Sequence, residues 1–103
     1  MAVLKITKDN FESLKAESRP VLIDFYADWC MPCQMMSPLV SELAGEREDC
    51  ITGKVNVDDE QELAVKFGVE SIPMFVVMKN GEVVSKRVGT CTKEQLAEMI
   101  EKA

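Results

Sequence analysis

The sequence predicts an α/β domain in which a mixed sheet of five strands carries four helices on its two faces. Residues 21–27 are almost continuously apolar, which is typical of a strand covered on both faces and therefore of parallel pairing. Asn80-Gly81 joins residues 74–79 to residues 82–88 and is the strongest short signal of an antiparallel hairpin. Parallel and antiparallel pairs in one chain predict a mixed sheet.

The chain opens with one strand and one helix. Residues 3–6 predict a short strand because most of them are apolar. Asp9 and Glu12 have the spacing of a capping box and predict a helix there. Phe11 and Leu14 would form its buried stripe.

A second helix and a third strand follow the covered strand. Pro32 suits the first position of a helix, where its missing N–H costs nothing. Pro38 lies inside this helix and is expected to kink it, because the ring removes a backbone hydrogen bond. Residues 51–57 alternate in polarity and predict the third strand. The apolar stripe of the helix consists of Met36, Leu39, Val40 and Leu43.

Two more helices complete the predicted order. Asp59 and Glu62 have capping spacing for the third helix, which Gly68 is expected to end. Thr92 and Gln95 open the last helix in the same way. The order is therefore strand, helix, strand, helix, strand, helix, hairpin, helix.

Length and charge exclude several classes of protein. A chain of 103 residues is expected to form one domain, residues 1–103, with its own core. Its 12 basic and 18 acidic residues give a net charge of −6, so neither nucleic acid nor an anionic membrane is expected as a partner. The absence of histidine excludes Ser-His-Asp and Cys-His nucleophiles and most catalytic zinc sites. We expect neither a cofactor nor a metal ion.

The compartment is predicted from the signals that the sequence lacks. Residues 1–6 are too short for the apolar core of a signal peptide. No apolar run approaches the roughly 20 residues that span a bilayer. We therefore expect a cytoplasmic protein, whose reducing surroundings disfavour a framework of structural disulfides.

Two of the four cysteines stand three positions apart, directly after the covered strand. Cys30 and Cys33 would lie in the first turn of the second helix and can close a small disulfide. Unpaired N–H groups at a helix N-terminus stabilise an anion, so Cys30 is the expected attacking thiolate. Cys33, one turn further on, would be more shielded and act as the resolving thiol.

Metal binding and simple packing are the alternatives for this pair. A structural zinc site needs four ligands, whereas the chain offers only the isolated Cys50 and Cys91 and no histidine. Inert core cysteines are disfavoured because the pair lies beside Trp29 and Pro32 at a helix start. Redox chemistry is therefore the favoured interpretation.

These residues resemble the thioredoxin family, and the resemblance covers essentially the whole chain. Residues 24–33 (DFYADWCMPC) match the family signature apart from Met31. Residues 71–73, 79–82 and 88–89 are similar at the family's spacing. The resemblance implies the thioredoxin fold and a protein-disulfide reductase. Such an enzyme acts on disulfide-containing target proteins and is re-reduced by a thioredoxin reductase.

The resemblance also implies catalytic roles. Cys30 would attack a target disulfide, and Cys33 would resolve the mixed disulfide that results. Asp24, expected to be desolvated in mid-strand, matches the residue that takes the proton from the resolving thiol, and Lys54 matches the lysine that accompanies it. From the residues alone, Asp24 could equally be a buried aspartate satisfied by its neighbours. Lys54 could equally lie on a solvated face.

A substrate-binding surface is implied as well. It would consist of Trp29, Ile72, Pro73, Met74 and Gly89. Pro73 matches the family's cis-proline, which packs against the disulfide and exposes the backbone of Ile72 to an extended substrate segment. The alternative for Trp29 is ordinary core packing.

Several positions depart from the family pattern. Met31 replaces the usual glycine, and we expect Met31 and Pro32, between the cysteines, to tune the reduction potential. Gln34 replaces a common basic residue and so removes a positive charge near the thiols. Core packing is the preferred interpretation of Met35 and Met36. An adaptable rim for varied partners could nevertheless be formed by Met31, Met35, Met36 and Met74.

The two other cysteines are interpreted as small hydrophobic residues rather than regulatory thiols. Cys50 begins the third strand and Cys91 follows the last one. The family fold would place them in separated parts of the sheet, so no bond between them is expected.

Two further functions remain open. One is an oxidase or isomerase built on the same fold, although the missing export signal and the absence of histidine between the cysteines favour a reductase. The other is a binding module whose contacts matter and whose thiol chemistry does not. A monomer is expected because the domain is small and carries a net negative charge.

Overall fold

The computed structural model describes residues 2–103, so Met1 of the expected domain lies outside the described range. Within that range the order of elements is the predicted one. The strands are β1 (Leu4–Lys5), β2 (Val21–Tyr26), β3 (Ile51–Asn56), β4 (Met74–Lys79) and β5 (Glu82–Val88). The helices are α1 (Lys8–Lys15), α2 (Met31–Glu46), α3 (Gln61–Lys66) and α4 (Lys93–Glu101).

The strands form one mixed sheet in the order β1-β3-β2-β4-β5. β3 pairs in parallel with both β1 and β2, whereas β4 runs antiparallel to β2 and β5 antiparallel to β4. The predicted mixed sheet is therefore confirmed. Its register sets Asp24 on β2 directly beside Lys54 on β3.

The sheet separates two apolar clusters, because side chains alternate between its faces. Ile23 and Phe25 pack with Phe11 of α1 and Leu63 of α3 on one face. On the other face, Leu22 and its neighbours pack against α2 and α4. β2 is buried along residues 21–25, which confirms that it is covered on both faces.

The predicted cap of α1 is wrong. Thr7 is the N-cap, and its side chain and that of Asn10 form the reciprocal capping box that the sequence suggested for Asp9 and Glu12. Either start places Phe11 and Leu14 on the same buried face, so the apolar pattern could not distinguish them.

The predicted cap of α3 is also wrong. Its N-cap is Glu60, which makes no side-chain capping bond. The side chain of Asn56 instead accepts hydrogen bonds from the backbone N–H groups of Asp58 and Asp59. Because of this turn, α3 begins at Gln61, one residue later than a cap at Asp59 would predict.

Other boundaries follow the sequence closely. α2 begins at Met31, so Pro32 is its second residue rather than its first, and the helix continues through Pro38 to Glu46. Gly68 adopts a left-handed backbone with φ of 67° just after α3, as a helix terminator should. The predicted capping box of Thr92 and Gln95 on α4 is confirmed.

Candidate active site

The cysteine pair lies at the N-terminus of α2. Cys30 is the N-cap, and Cys33 is in the first turn of the helix. Their sulfur atoms form a disulfide, and the backbone N–H of Cys33 lies 3.3 Å from Cys30 Sγ. An N–H group aimed at this sulfur, together with the positive end of the helix, stabilises negative charge on it. The local structure therefore favours a thiolate at Cys30 once the disulfide opens.

The segment before β4 lies against Cys30. The Ile72 carbonyl oxygen is 3.9 Å from Cys30 Sγ, and the Ile72–Pro73 peptide is cis, as the resemblance implied. The Gly89 N–H donates a 2.8 Å hydrogen bond to the Pro73 carbonyl, and Gly89 has φ of 94°, a conformation that favours glycine. The sheet thus brings together three residues that lie far from Cys30 in sequence.

Trp29 is a surface residue and not part of the core. Its side chain is 70% exposed next to the disulfide. The indole Nε1–H donates a 2.8 Å hydrogen bond to Asp58 Oδ2, which fixes the ring despite its exposure. An exposed, anchored indole is suited to binding an apolar partner surface.

A cleft of about 290 Å³ opens beside the second cysteine. It contains Cys33 and reaches Asp24 and Lys54, two of the predicted catalytic residues. Cys30 does not line it. The remaining lining residues are Tyr26, Ala27, Asp28, Gln34 and Ser37.

Asp24 is a buried carboxyl group on β2 that lines this cleft. Burial raises the pKa of Asp24 to about 7, and the positive charge of Lys54 acts in the opposite direction. Within residues 2–103, Asp24 Oδ1 has no hydrogen-bonding partner. A carboxyl group with this pKa can both hold and release a proton near neutral pH.

Lys54 is half-buried and lines the cleft. Its Nζ atom lies 5.5 Å from the centre of the Tyr26 ring, over which the cation is held. Because Tyr26 follows Asp24 by two residues, their side chains lie on the same face of β2. The lysine is therefore held close enough to influence the carboxyl group electrostatically.

Two expectations about methionines are wrong. Met74 was expected on the substrate-binding surface, but its side chain is only 1% exposed and belongs to the core between the sheet, α1 and α3. Met35 was interpreted as core, but it lies on the outer face of α2 and is 69% exposed. Met36 is buried as expected, and Met31 is exposed. Sequence position alone could not assign these adjacent methionines to the correct helix face.

Cys50 and Cys91 remain free thiols. Cys50 is buried before β3 and Cys91 is half-buried after β5, both against the cluster under α2 and α4. Burial raises the pKa of both thiols, so neither resembles a reactive thiolate.

Some residues of the site were not singled out in the sequence. Ser37 follows Cys33 by four residues, so helical spacing could have placed it in the cleft, as strand alternation could have placed Tyr26. Asp58, the partner of Trp29, had no such signal because it lies in a distant loop.

Gln34, which the sequence did single out, anchors the loop before the cysteines. Its side-chain amide donates a 2.7 Å hydrogen bond to the Asp28 carbonyl.

This geometry defines a thiol-disulfide oxidoreductase: a dithiol at a helix N-terminus, with a buried carboxyl group of raised pKa behind its second sulfur. Among the described residues, no group of three or more Cys, Asp or Glu side chains is arranged to hold a metal ion. No helix within residues 2–103 has the length and apolar composition of a membrane span.

Comparison with known proteins gives the family. The thioredoxin family model matches residues 2–102. The chain is 45% identical over 105 residues to a thioredoxin of Staphylococcus epidermidis, covering 99% of this chain and 98% of that one. It is 46% identical over 100 residues to a thioredoxin of Haemophilus influenzae, covering 95% and 94%.

Solved structures agree with the sequence comparison. A mutant thioredoxin from Halobacterium salinarum NRC-1 superposes with a TM-score of 0.90 at 37% identity, over 98% of this chain and 89% of that one. The chain belongs to the thioredoxin family and is a protein-disulfide reductase acting on disulfide-containing proteins.

Proposed function

We propose that this protein reduces target disulfides through Cys30 and Cys33 in a fixed order. The Cys30 thiolate attacks one sulfur of a target disulfide, forming a mixed disulfide and releasing the other target sulfur as a thiolate. Cys33 then attacks Cys30 Sγ, which releases the second target sulfur and leaves the Cys30–Cys33 disulfide. Two electrons pass from the cysteine pair to the target.

One observation carries this order of attack: the two sulfurs face different surroundings. Cys30 is the N-cap of α2 and lies beside the Ile72 carbonyl. It is only 5% exposed, but its neighbours Trp29 and Met31 are exposed and mark the surface that a target chain would contact. Cys33 lines the cleft that holds Asp24. The first sulfur is therefore suited to contact the target, and the second is suited to lose its proton within the protein.

Asp24 is the proposed proton acceptor for Cys33. With a pKa of about 7, a substantial fraction of the Asp24 carboxyl groups is ionised at neutral pH and can accept a proton. Burial makes this carboxylate a stronger base than an exposed one, because it raises the pKa. Lys54 is a positioning residue that limits the rise of this pKa through its charge. Met31 and Pro32, between the two sulfurs, are the proposed determinants of the reduction potential.

Target proteins are proposed to bind across Trp29, Ile72, Pro73 and Gly89. The exposed indole of Trp29 supplies apolar contact area. The backbone at Ile72 offers hydrogen-bonding groups to an extended segment, in the manner of strand addition. Met74 is excluded from this surface because its side chain is buried.

The oxidised pair is proposed to be regenerated by a thioredoxin reductase in the cytoplasm, with the single domain 1–103 acting as a monomer. A reductant needs a steady supply of electrons, and the cytoplasm keeps thiols reduced. One solved relative supports a role in a thioredoxin system. A chain from a structure on the thiol-resolving mechanism of yeast mitochondrial 1-Cys peroxiredoxin via glutathione/thioredoxin systems superposes with a TM-score of 0.89 at 30% identity, covering 98% of this chain and 95% of that one.

Trapping of a mixed disulfide tests the order of attack. Reduced Cys33→Ser protein, incubated with insulin as the target, is expected to accumulate a covalent adduct in non-reducing mass spectrometry. The matched Cys30→Ser variant should form none, since its Cys33 thiol faces the cleft and its Cys50 and Cys91 thiols pack against the core. Both variants retain Cys50 and Cys91, so an adduct through those thiols would appear in both. Equal trapping by the two variants would contradict the proposed order.

The reduction potential tests the direction of the reaction. Thioredoxins have reduction potentials of about −270 mV, whereas strongly oxidising relatives have potentials of about −120 mV. A potential near the first value, measured against dithiothreitol, is expected. A potential well above about −200 mV would instead indicate that Met31 has shifted the pair toward oxidation or isomerisation.

A further inference from the structure

Two methionines are exposed next to the redox pair, while the others described are buried. The side chain of Met31 is 65% exposed and that of Met35 is 69% exposed. They lie four residues apart on α2, and such residues share one face of a helix. The buried methionines are Met36, Met74, Met78 and Met99, at 1–6% exposure.

The exposed pair borders the position that any target must occupy. Met31 directly follows Cys30, so their Cα atoms are about 3.8 Å apart. Met35 lies about 6 Å further along the helix axis, at 1.5 Å per residue. Exposed Trp29 precedes Cys30 on the other side. A protein whose sulfur reaches Cys30 therefore comes close to the two thioethers.

We propose that Met31 and Met35 are oxidation sites through which a hydroperoxide weakens the binding of target proteins. This inference rests on the proposed function of Cys30 as the nucleophile that contacts the target. The thioether sulfur attacks the distal oxygen of the peroxide, the O–O bond breaks and an S=O bond forms. The sulfur loses two electrons, and the rest of the peroxide leaves as water or alcohol after taking the proton.

Oxidation would act mainly on binding, because a sulfoxide carries no net charge and leaves the helix end that stabilises the Cys30 thiolate in place. Any change that a Met31 sulfoxide makes to the reduction potential would alter the rates toward large and small disulfides alike. A thioether is apolar and adaptable, whereas a sulfoxide is polar and loses water when an apolar target surface covers it. Covering an unpartnered polar group at an apolar contact costs a factor of at least about five in affinity. A small disulfide that only reaches Cys30 Sγ would not cover the sulfoxides, so its rate is the control for the sulfur chemistry and should change much less than the KM for a protein target.

Peptide mapping tests the site of modification. The disulfide form is treated with hydrogen peroxide, which leaves Cys30 and Cys33 protected, and is then reduced with dithiothreitol, which does not reduce sulfoxides. Met31 and Met35 are expected to be oxidised well before the buried methionines, which serve as internal controls. Equal oxidation of the exposed and buried methionines would overturn the proposal.

Kinetics test the consequence, with each protein compared before and after peroxide. The KM for insulin is expected to rise at least about fivefold, while the rate toward 2-hydroxyethyl disulfide changes much less. A Met31→Leu/Met35→Leu variant keeps apolar side chains that peroxide cannot oxidise, so its KM should not respond. It also retains Cys50 and Cys91, so damage at those thiols would appear in both proteins.

Three kinetic results would overturn the inference. They are an unchanged KM for insulin after complete oxidation, an equal rise in the leucine variant, and an equal loss of rate toward the small disulfide. Failure of the underlying function would look different, because the untreated protein would then be inactive toward both disulfides.

Discussion

Replacing Asp24 by asparagine is expected to stabilise the protein, and increasingly so as the pH rises. The folded-state pKa of Asp24 is about 7, whereas the ordinary value of 3.8 applies when the chain is unfolded. Between these two values the folded protein holds a proton that the unfolded chain has released. The contribution of Asp24 to the free energy of unfolding is therefore fully present below about pH 4 and is lost as the pH rises toward 7. Asparagine has no charge to bury and should not show this loss.

The magnitude follows from the two pKa values. Displacement of an ionisation from 3.8 to about 7 corresponds to about 4 kcal/mol of unfolding free energy, at about 1.4 kcal/mol per pH unit. Relative to the parent, Asp24→Asn should therefore gain about 4 kcal/mol between pH 4 and pH 8. Any fixed cost of the new amide is the same at every pH and cancels in this difference.

Urea unfolding of the oxidised proteins between pH 4 and pH 8 measures the difference directly. The disulfide form is chosen because Cys30 and Cys33 cannot titrate in it. Surface carboxyl groups titrate equally in the parent and the variant, so the parent serves as the matched control. The difference in unfolding free energy between variant and parent could instead stay constant from pH 4 to pH 8, or grow toward acid. Either result would refute the conclusion that burial raises the pKa of Asp24.

Three further substitutions test the surroundings of the site and the packing of the sheet. Lys54→Met should raise the pKa of Asp24 further, because it removes the charge that opposes the effect of burial; the carboxyl ¹³C shift followed against pH measures this, and an unmoved or lower midpoint would argue against the coupling. Gly53→Ala should cost about 1–3 kcal/mol in thermal or urea unfolding, since a Cβ there meets the buried side chain of Ile6. Gly45→Ala is the matched control: nothing lies within 4 Å of its added Cβ, and α2 should gain about 1 kcal/mol from the better helix former. Equal effects of the two alanines would show that crowding at Gly53 is not the cause.

Local features of the sequence predicted much of the fold. Asn80-Gly81 supplies the positive φ angles of a tight turn, and both appear with φ of 53° and 81°. The apolar run at 21–27 predicted the covered strand, because only helices on both faces can bury such a segment. The caps of α1 and α3 were predicted wrongly, because several polar residues near each helix start can serve as the cap without changing which apolar residues are buried.

The candidate site was likewise predicted in part from the sequence. The spacing of Cys30 and Cys33, and their place after a buried strand, predicted a redox pair because two residues three apart meet in one helical turn. The family resemblance then implied roles for Asp24, Lys54 and Pro73. It could not show that Met74 is buried while Met31 and Met35 are exposed.

What the sequence by itself determined was the chemistry: a thiol pair at a helix start and a carboxyl group in a strand too apolar to solvate it. Both depend on near neighbours in the chain, whose relative positions are set by secondary structure. The tertiary structure alone decided which groups meet. Sheet pairing set Lys54 beside Asp24, and chain reversals brought Ile72 to Cys30 and Asp58 to Trp29. Contacts between distant segments depend on how the whole sheet and its helices pack, and short-range patterns do not specify that arrangement.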